Sequence, residues 1–363
     1  MTHLASAQPD GARRFPAPAL ALDFGGTSMR AALVLPDGSL HGRRRADTPR
    51  SDAAAFAEAC RELLSRTLDG AAESPVALAI SAPGPLDPRA GVLVDPPNLP
   101  QGLWNYPIAE TLGAAVSLPA HLERDTLVAA LGEGAFGAAR GVADYVYLTV
   151  STGLGGAVVS DGRLLRGADG AAGELGHLLI DIDGPACGCG ARGHLEAYAS
   201  GTGIARAARE RGMAARGAAD VAAAEEAGDP VATEVMASAR AAFAAGMVSI
   251  VDVFNPRLIV VGGGVAMGQA ERLLVPARER VAAEAFRRQA ASVRIVPAAL
   301  GDDVGLMGAL PLVAERGGFD RPATPLGRPA LHAGPPKGDD SDDSLDTDLT
   351  TSGSGRSPAA LSG

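Results

Sequence analysis

The chain of 363 residues has a formal net charge of −10, 47 glycines and few aromatic residues (4%). Its length suffices for about two domains with large cores, and its composition favours an α/β enzyme over an all-β shell. The net negative charge makes a nucleic-acid partner unexpected, and the one basic run, GRRRA at 42–46, is short. We expect no stretch to be long and apolar enough to span a membrane, and hence no membrane partner.

Both ends of the chain are predicted to be disordered. Residues 1–16 form a polar leader without the apolar run of a signal peptide. Residues 318–363 form a tail whose acidic part, 338–363, contains six aspartates against one arginine and cannot build a core. Three free cysteines and the lack of a targeting segment predict a cytoplasmic protein.

The only lysine of the chain is Lys337, in the tail. A P-loop NTPase and a protein kinase each need a lysine on the nucleotide phosphates, and a pyridoxal-phosphate enzyme needs one for its Schiff base. These three classes are therefore excluded. A phosphate-handling protein of this composition would use backbone N–H groups, Mg²⁺ and arginine.

Two glycine-rich hairpins are predicted, one in each half of the chain. Residues 20–35 form a strand, the turn DFGGTS and a second strand, and residues 145–165 repeat this plan around the turn STGLGG. Both turns lead into a strand, whereas a dinucleotide-binding fingerprint leads into a helix. Matching hairpins indicate a duplicated architecture. Their tips favour phosphate binding through consecutive N–H groups, with ordinary tight turns as the alternative.

Further elements follow each hairpin. The first half is predicted to contain an amphipathic helix over 52–68 and a buried strand over 76–81. The second half is predicted to contain helices over 201–212, 231–250, 268–287 and 303–316 and strands over 257–266 and 292–298. The strand at 257–266 ends in three glycines, at the edge where an α/β sheet usually receives a nucleotide.

Two of the three cysteines lie one residue apart, in GHLLIDIDGPACGCGARGHLE at 176–196. Cysteines this close bridge poorly, whereas thiols flanked by imidazoles at short spacing are typical of a metal site. His177, Cys187, Cys189 and His194 would form a tetrahedral set that suits zinc. A turn whose thiols have no function is the alternative. Cys60 is expected to be a small buried hydrophobic residue of the first helix.

Together these motifs resemble the ROK family of bacterial sugar kinases, repressors and uncharacterised homologues, and in particular its ATP-dependent glucokinases. The resemblance is carried by DFGGTSMRAALV, STGLGGAVVSDGRLLRGADGAAGELGH, the cysteine-containing stretch and FNPRLIVVGGGVA. It implies a duplicated actin/hexokinase-like (ribonuclease H-like) α/β fold of two domains with a central cleft. The implied domains are a small one, 17–127 completed by the helix 305–317, and a large one, 128–304, with the metal loop 176–196.

The resemblance also implies a kinase that transfers the γ-phosphoryl group of ATP, with Mg²⁺, to the 6-hydroxyl of a hexose such as glucose, and that forms a homodimer or homotetramer. Asp125 would be the catalytic base, or alternatively only the N-cap of a helix. A structural zinc would cross-link the loop that holds the sugar-binding carboxylates. The implied sugar contacts are Asn98, Arg124, Asp125, Glu174, His177 and Glu196. The implied nucleotide contacts are Asp23, Gly25, Gly26, Thr27, Thr152, Gly153, Gly155, Gly156, Gly262, Gly263 and Gly264.

Two positions depart from the family's pattern. His194 stands in place of a third cysteine, and Arg124 in place of the asparagine that precedes the catalytic aspartate. The charge of Arg124 is expected to favour ionised Asp125, making it a weaker base, and to shift the substrate range, unless the side chain turns out to solvent.

Other functions remain as alternatives. One is a kinase for fructose, mannose or an N-acetylhexosamine, and another is a weak or inactive sugar sensor. A repressor is disfavoured, because a first strand near residue 18 leaves no room for an N-terminal helix-turn-helix.

Overall fold

The strands and helices predicted from the sequence are present in the structure, which also contains elements that were not predicted. The computed structural model describes residues 15–320. Its strands are β1 (Ala19–Phe24), β2 (Ser28–Val34), β3 (Leu40–Asp47), β4 (Leu78–Ala82), β5 (Leu86–Asp87), β6 (Val92–Leu93), β7 (Ala120–Arg124), β8 (Tyr145–Val150), β9 (Leu154–Ser160), β10 (Arg163–Leu164), β11 (Leu258–Gly262) and β12 (Arg294–Pro297). Its α-helices are α1 (Ala53–Thr67), α2 (Ile108–Val116), α3 (Asp125–Phe136), α4 (Leu195–Ala199), α5 (Gly201–Glu210), α6 (Ala218–Glu226), α7 (Pro230–Phe254), α8 (Gly264–Gln269), α9 (Glu271–Glu284), α10 (Arg287–Ala290), α11 (Val304–Met307) and α12 (Ala309–Glu315).

Two five-stranded sheets share one topology. Their strand orders are β3-β2-β1-β4-β7 and β10-β9-β8-β11-β12. In each sheet the first three strands of the chain pair antiparallel, and the next two add in parallel. The duplicated α/β architecture expected from the two hairpins is therefore confirmed.

Each sheet buries both faces, and alternate residues of a strand enter different cores. In β1, Ala19 and Ala21 belong to a cluster with α3 and α12, while Leu20 and Leu22 pack with α1 and α2. Likewise β8 directs Tyr147 into the cluster that contains α3, and its neighbouring residues pack with α7 and α9. Helix α3 contacts strands of both sheets, so its first residue lies where the two halves meet.

The described residues include two positions from the predicted leader and a few from the predicted tail. Phe15, placed in the disordered leader 1–16, is buried, and its ring lies 5.8 Å from that of Phe136 and 5.9 Å from that of Phe319. Phe319 had been assigned to the tail 318–363. Burial of these aromatic rings in the cluster that contains α3 accounts for the position of both residues. The rest of the leader and tail, including Lys337, lies outside the described residues.

Helix α7 corrects the expectation about membrane spans. This helix of 25 residues is long and apolar enough to cross a membrane by length and composition alone, so the expectation that no stretch meets these two criteria was wrong. Phe243, Met247 and Ile250 of this helix are buried against β8 and β11, and its first half packs with α5 and α6. The core helix of a globular α/β protein passes the same test, and the packing of α7 fits that role.

Candidate active site

The first glycine turn joins β1 to β2. The hydroxyl of Thr48 donates to the carbonyl of Gly25 at 2.7 Å, and Arg50 Nη2 donates to that of Gly26 at 2.9 Å. Within the described residues the amides of Gly26 and Thr27 donate no hydrogen bond. Two adjacent free N–H groups at an exposed tip are a suitable site for a phosphate oxygen.

Asp23 precedes this turn and is buried. One of its carboxylate oxygens accepts from Arg30 Nη2 at 2.6 Å, and the other accepts from the hydroxyl of Ser81 at 2.7 Å. Helix α11 approaches it closely, because a Cβ on Gly305 would lie 2.6 Å from the carboxyl carbon. Asp23 therefore has fewer free lone pairs for a metal ion than its place in the motif suggests.

The second glycine turn, Ser151–Thr152–Gly153, joins β8 to β9. Its carbonyls are occupied, since Gly201 donates to Ser151 at 2.7 Å and Thr202 to Thr152 at 3.0 Å. Among the residues described, the amides of Thr152 and Gly153 donate no hydrogen bond. The second tip thus repeats the arrangement of the first.

Gly155 and Gly156 were predicted to belong to this phosphate turn, but the structure places them within β9. A Cβ on Gly155 would lie 2.7 Å from the methyl of Thr126, and one on Gly156 would overlap Leu175. Their small size is thus required by packing. The close approach of β9 to Thr126 also brings the start of α3, and with it Asp125, close to the second hairpin.

The third glycine run connects β11 to α8. Gly262 ends the strand, Gly263 has φ of 91°, and Gly264 begins the helix. A Cβ on Gly263 would lie 2.5 Å from the carbonyl oxygen of Val150, so no other residue fits without a shift. Gly264 and Thr152 both line a cavity of about 670 Å³.

This cavity was not predicted from the sequence. Its walls come from α5, α6, α7 and α8, and most of the lining residues are alanine, glycine or other apolar residues, among them Ala205, Ala218, Ala222 and the larger Met236. Alanine-rich helices are ambiguous in sequence, because alanine suits both a helix surface and a pocket wall. The volume suits a drug-sized ligand.

Asp125 is the first residue of α3 rather than its N-cap, which is Arg124. Its Oδ1 accepts from the amide of Thr126 at 2.7 Å, and its side chain is accessible to solvent. Desolvation by the surrounding protein, and secondly the negative charge of Asp23, raise the pKa of Asp125 to about 6. The positive charge of Arg124 lowers the pKa, as expected, but desolvation and Asp23 outweigh it, so Asp125 is not the weaker base that was expected.

Arg124 is buried and does not turn out to solvent. Its guanidinium forms an ion pair with Glu174 and donates to the carbonyl of Ala172. Arg124 and Glu174, both predicted sugar contacts, are therefore brought together by the fold. One oxygen of Glu174 is occupied by this pairing.

A second set of charges, which sequence reasoning missed, lies beside Arg124. Glu123 is 0% exposed, and its Oε2 accepts from Arg166 at 2.8 Å and Arg316 at 3.2 Å. Arg166 also binds Glu315 at 2.6 Å. A carboxylate inside a strand is a signal for such a network, because buried charges need partners. Glu123 thus ties β7 to the loop after β10 and to the C-terminal helix.

The four predicted metal ligands lie together. One ligand atom from each of His177, Cys187, Cys189 and His194 lies within 4.8 Å of all the others. Tetrahedral zinc ligands lie about 3.6 Å apart, so small side-chain movements would close this cluster on an ion. The tight turn at Cys187 is held by its amide, which donates to Ala191 at 2.7 Å. The residue types and the spacing fit zinc.

Two carboxylates lie next to the metal cluster. Each ring nitrogen of His177 lies 3.9 Å from a carboxylate oxygen, Nδ1 from Glu174 and Nε2 from Glu196. A histidine that binds a metal through one nitrogen usually donates from the other to such a group. Glu196 also accepts from the amide of Leu154 at 2.9 Å. His177 therefore links the cluster to the predicted sugar-binding carboxylates.

Asn98 lies in the loop before the short 3-10 helix at 101–103. Its backbone carbonyl packs on the first glycine turn, since a Cβ on Gly26 would lie 2.5 Å from that oxygen. Its side chain is exposed. Contact of Asn98 with a sugar stays a prediction, as do the roles of the other site residues.

Comparisons by family profile, by sequence and by structure find relatives of one family. The profile of the ROK family matches residues 19–316. The chain is 33% identical to a glucokinase of Thermotoga maritima, covering 82% of this chain and 97% of that protein. It is 38% identical to an N-acetylmannosamine kinase of Citrobacter koseri, covering 80% and 96% respectively. Among solved structures, a ROK hexokinase from Thermus thermophilus matches with a TM-score of 0.73 and 37% identity, covering 82% of this chain and 98% of that chain.

Proposed function

Because the chain belongs to the ROK family and has the actin/hexokinase-like fold of its structural relatives, we propose that it is an ATP-dependent sugar kinase. The observation that carries this proposal is the position of Asp125. The residue begins the helix that contacts both sheets, its neighbour Thr126 lies against Gly155 of β9, and its pKa is raised to about 6. A carboxylate with that pKa is a suitable base near neutral pH.

In the proposed reaction Asp125 accepts the proton of a sugar hydroxyl. That oxygen forms a bond to the γ-phosphorus of ATP, the bond from this phosphorus to the bridging oxygen breaks, and ADP leaves. The 6-hydroxyl of a hexose is the proposed acceptor. Little other covalent chemistry is required of the protein, whose main tasks are positioning and charge stabilisation.

The nucleotide is proposed to bind with its phosphates between the two glycine turns. The free amides of Gly26, Thr27, Thr152 and Gly153 supply donors there. The cavity next to Gly264 is large enough for adenosine. Gly263 permits the close approach of the backbone that such a pocket needs.

Mg²⁺ is proposed to be held mainly by the phosphates of ATP and by water, as is common for this ion. Both oxygens of Asp23 already accept hydrogen bonds, so this residue would act through the ion's hydration shell. Asp125 supplies a second nearby negative charge.

The sugar is proposed to bind among Asn98, Arg124, Glu174, His177 and Glu196. The names of the relatives include both a glucokinase and an N-acetylmannosamine kinase, so we propose a hexose or an N-acetylhexosamine, with glucose as the first to test. The cysteine and histidine cluster is proposed to hold one zinc ion. All four ligands come from the protein, which leaves no open position for catalysis.

An assay of ADP release across a panel of hexoses and N-acetylhexosamines tests this function. We expect turnover of at least one sugar that requires both ATP and Mg²⁺. An absence of ADP release above the no-sugar background for the whole panel would contradict it. Cytoplasmic location and a homo-oligomeric state are proposed along with it.

A sugar sensor without turnover is the second candidate, and one observation favours it. Arg124 occupies an oxygen of Glu174 at the position where the family has an asparagine. Sugar binding measured calorimetrically, without ADP release in the same panel, would identify this case.

A further inference from the structure

The residues that follow the last predicted metal ligand contact the second glycine turn directly. In this connecting segment, residues 194–202, Oε2 of Glu196 accepts from the amide of Leu154 at 2.9 Å. The amide of Gly201 donates to the carbonyl of Ser151 at 2.7 Å. Thr202 donates twice to the carbonyl of Thr152, from its amide at 3.0 Å and its hydroxyl at 2.9 Å. Three of these four hydrogen bonds end on the turn itself, and the fourth ends on Leu154, the first residue of β9.

The same segment is attached to the metal loop on its other side. Arg206 of α5 donates to the carbonyl of Ala197 at 2.8 Å and also to the carbonyl of Ala186, the residue before Cys187. The backbone of His194 pairs with that of Leu179 as an isolated β-bridge. The metal loop, the connecting segment and the turn therefore form one hydrogen-bonded unit.

The second glycine turn cannot move independently of this hydrogen-bonded unit. A Cβ on Gly153 would lie 2.9 Å from Oε2 of Glu196, so the turn packs directly on that carboxylate. Because the carbonyls of the turn are held from the connecting segment, the direction of the free amides of Thr152 and Gly153 depends on where the segment lies. Hydrogen-bonded positioning of this kind is what a preorganised phosphate site needs.

We propose that Glu196 is a positioning residue for the nucleotide and that metal loading of the cysteine and histidine cluster sets the affinity for ATP. The connecting segment transmits the order of the metal loop to the phosphate-binding amides. The role differs from the sugar contact implied by the family resemblance. The inference rests on the proposed function, because it takes the second turn as a phosphate site.

Calorimetric titration with Mg·AMPPNP tests the coupling on metal-loaded protein. Glu196→Ala removes the acceptor of the Leu154 amide, and we expect the Kd for Mg·AMPPNP to rise about tenfold, the value of one charge-assisted hydrogen bond. Glu196→Gln keeps an oxygen that can accept from this amide, so its Kd should stay within about threefold of the wild-type value. Metal content, measured by mass spectrometry, should stay the same in both variants.

Thr202→Val provides a second variant that spares the carboxylate. It removes one donor to the Thr152 carbonyl and should raise the Kd about threefold. Thr233→Val is the matched control, since the Thr233 hydroxyl also bonds a carbonyl near a helix start, that of Asp229 at 2.8 Å, away from both sites. We expect its Kd to equal that of the wild type. Wild-type protein stripped of metal by a chelator, and still folded by circular dichroism, should bind Mg·AMPPNP about tenfold more weakly.

The outcomes separate this inference from the proposed function. If Glu196→Ala and Thr202→Val both bind Mg·AMPPNP as tightly as Thr233→Val does, the positioning role is wrong. A folded, metal-free protein with unchanged affinity would overturn the coupling to the metal. If the wild-type protein does not bind Mg·AMPPNP at all, the proposed kinase function fails instead.

Discussion

Arg124 and Glu174 form an ion pair between the end of β7 and the loop that follows β10. The side chain of Arg124 is 7% exposed and that of Glu174 is 49% exposed. The arginine also binds the carbonyl of Ala172. At the position before the proposed catalytic base, this chain therefore has a guanidinium that is held by protein groups.

Replacing Arg124 with asparagine tests whether this pair determines sugar specificity. The change frees Glu174 and restores a group that can both donate and accept. We expect kcat/KM for glucose to rise about tenfold, the value of one good hydrogen bond. The measurement is the ADP-release assay across the sugar panel.

Arg124→Lys is the matched control for this change. Lysine keeps the charge but lacks the planar fork that binds Glu174 and Ala172 together, so glucose turnover should not improve. If Arg124→Asn leaves the efficiencies for glucose and its epimers unchanged, Arg124 does not set the specificity of the site.

Asp125→Asn is expected to abolish turnover while the protein still binds sugar. Asparagine keeps the shape of the side chain but cannot accept the proton, and a general base contributes about 10²-fold or more. The measurements are kcat by ADP release and sugar affinity by calorimetry. A variant that retained more than about a tenth of the wild-type kcat would exclude Asp125 as the base.

The pH dependence of the reaction follows from the pKa of Asp125, which is raised from 3.8 to about 6. Because a base must be ionised to accept a proton, kcat/KM should rise with pH through about 6 and level off above about 7. A profile that is flat between about pH 5 and 8 would contradict this assignment.

The raised pKa of Asp125 has the opposite effect on stability: kcat/KM should rise with pH, whereas the stability of the fold should fall. Ionisation of Asp125 is harder in the folded state than in the unfolded chain. The free energy of unfolding therefore falls as the pH rises from about 4 to about 6, where Asp125 ionises in the unfolded chain but not yet in the folded protein. Asp125→Asn should therefore raise Tm at about pH 7.5, and by less at about pH 5. Thermal unfolding at the two pH values measures this difference, and an equal effect at both would contradict it.

Purified protein is expected to contain about one zinc ion per chain. Cys189→Ala should remove the metal, raise KM for the sugar and lower Tm, because the loop that carries Glu196 loses its cross-link. Cys60→Ala is the matched control, since Cys60 is buried in α1, away from the cluster, and should keep the metal. Fully active wild-type protein without zinc would rule out this role of the cluster.

Glu123→Gln is expected to destabilise the fold by about 2 kcal/mol, because it leaves Arg166 and Arg316 without their shared buried counter-charge. The value is below that of a fully buried pair, since both arginines are partly exposed. Glu58→Gln is the control, because Glu58 and Arg61 form an exposed pair that adds little. Denaturant titration compares the two, and equal midpoints would contradict the importance of the network.

Local patterns in the sequence were sufficient for the hairpins and the main helices, whereas β3, β7, α2 and α6 were not predicted. The hairpins around DFGGTS and STGLGG, and the helix after Asp52, were predicted within one or two residues, because turn glycines and the 2.0 and 3.6 residue periods are local signals. The metal cluster was also readable, since three of its four ligands lie within eight residues of one another. Ligands that are this close in sequence must also lie close in space in almost any fold.

The interactions between the residues of the proposed active site were decided by the tertiary structure alone. The net pKa of Asp125 depends on Asp23, about a hundred residues earlier in the chain, and Arg124 finds its partner fifty residues later. The Glu123 network joins three segments, and the alanine-lined cavity needs four helices. Charge interactions and burial depend on distance in space, which a linear pattern does not contain. The sequence therefore predicted which residues would carry the chemistry but not how they act on one another.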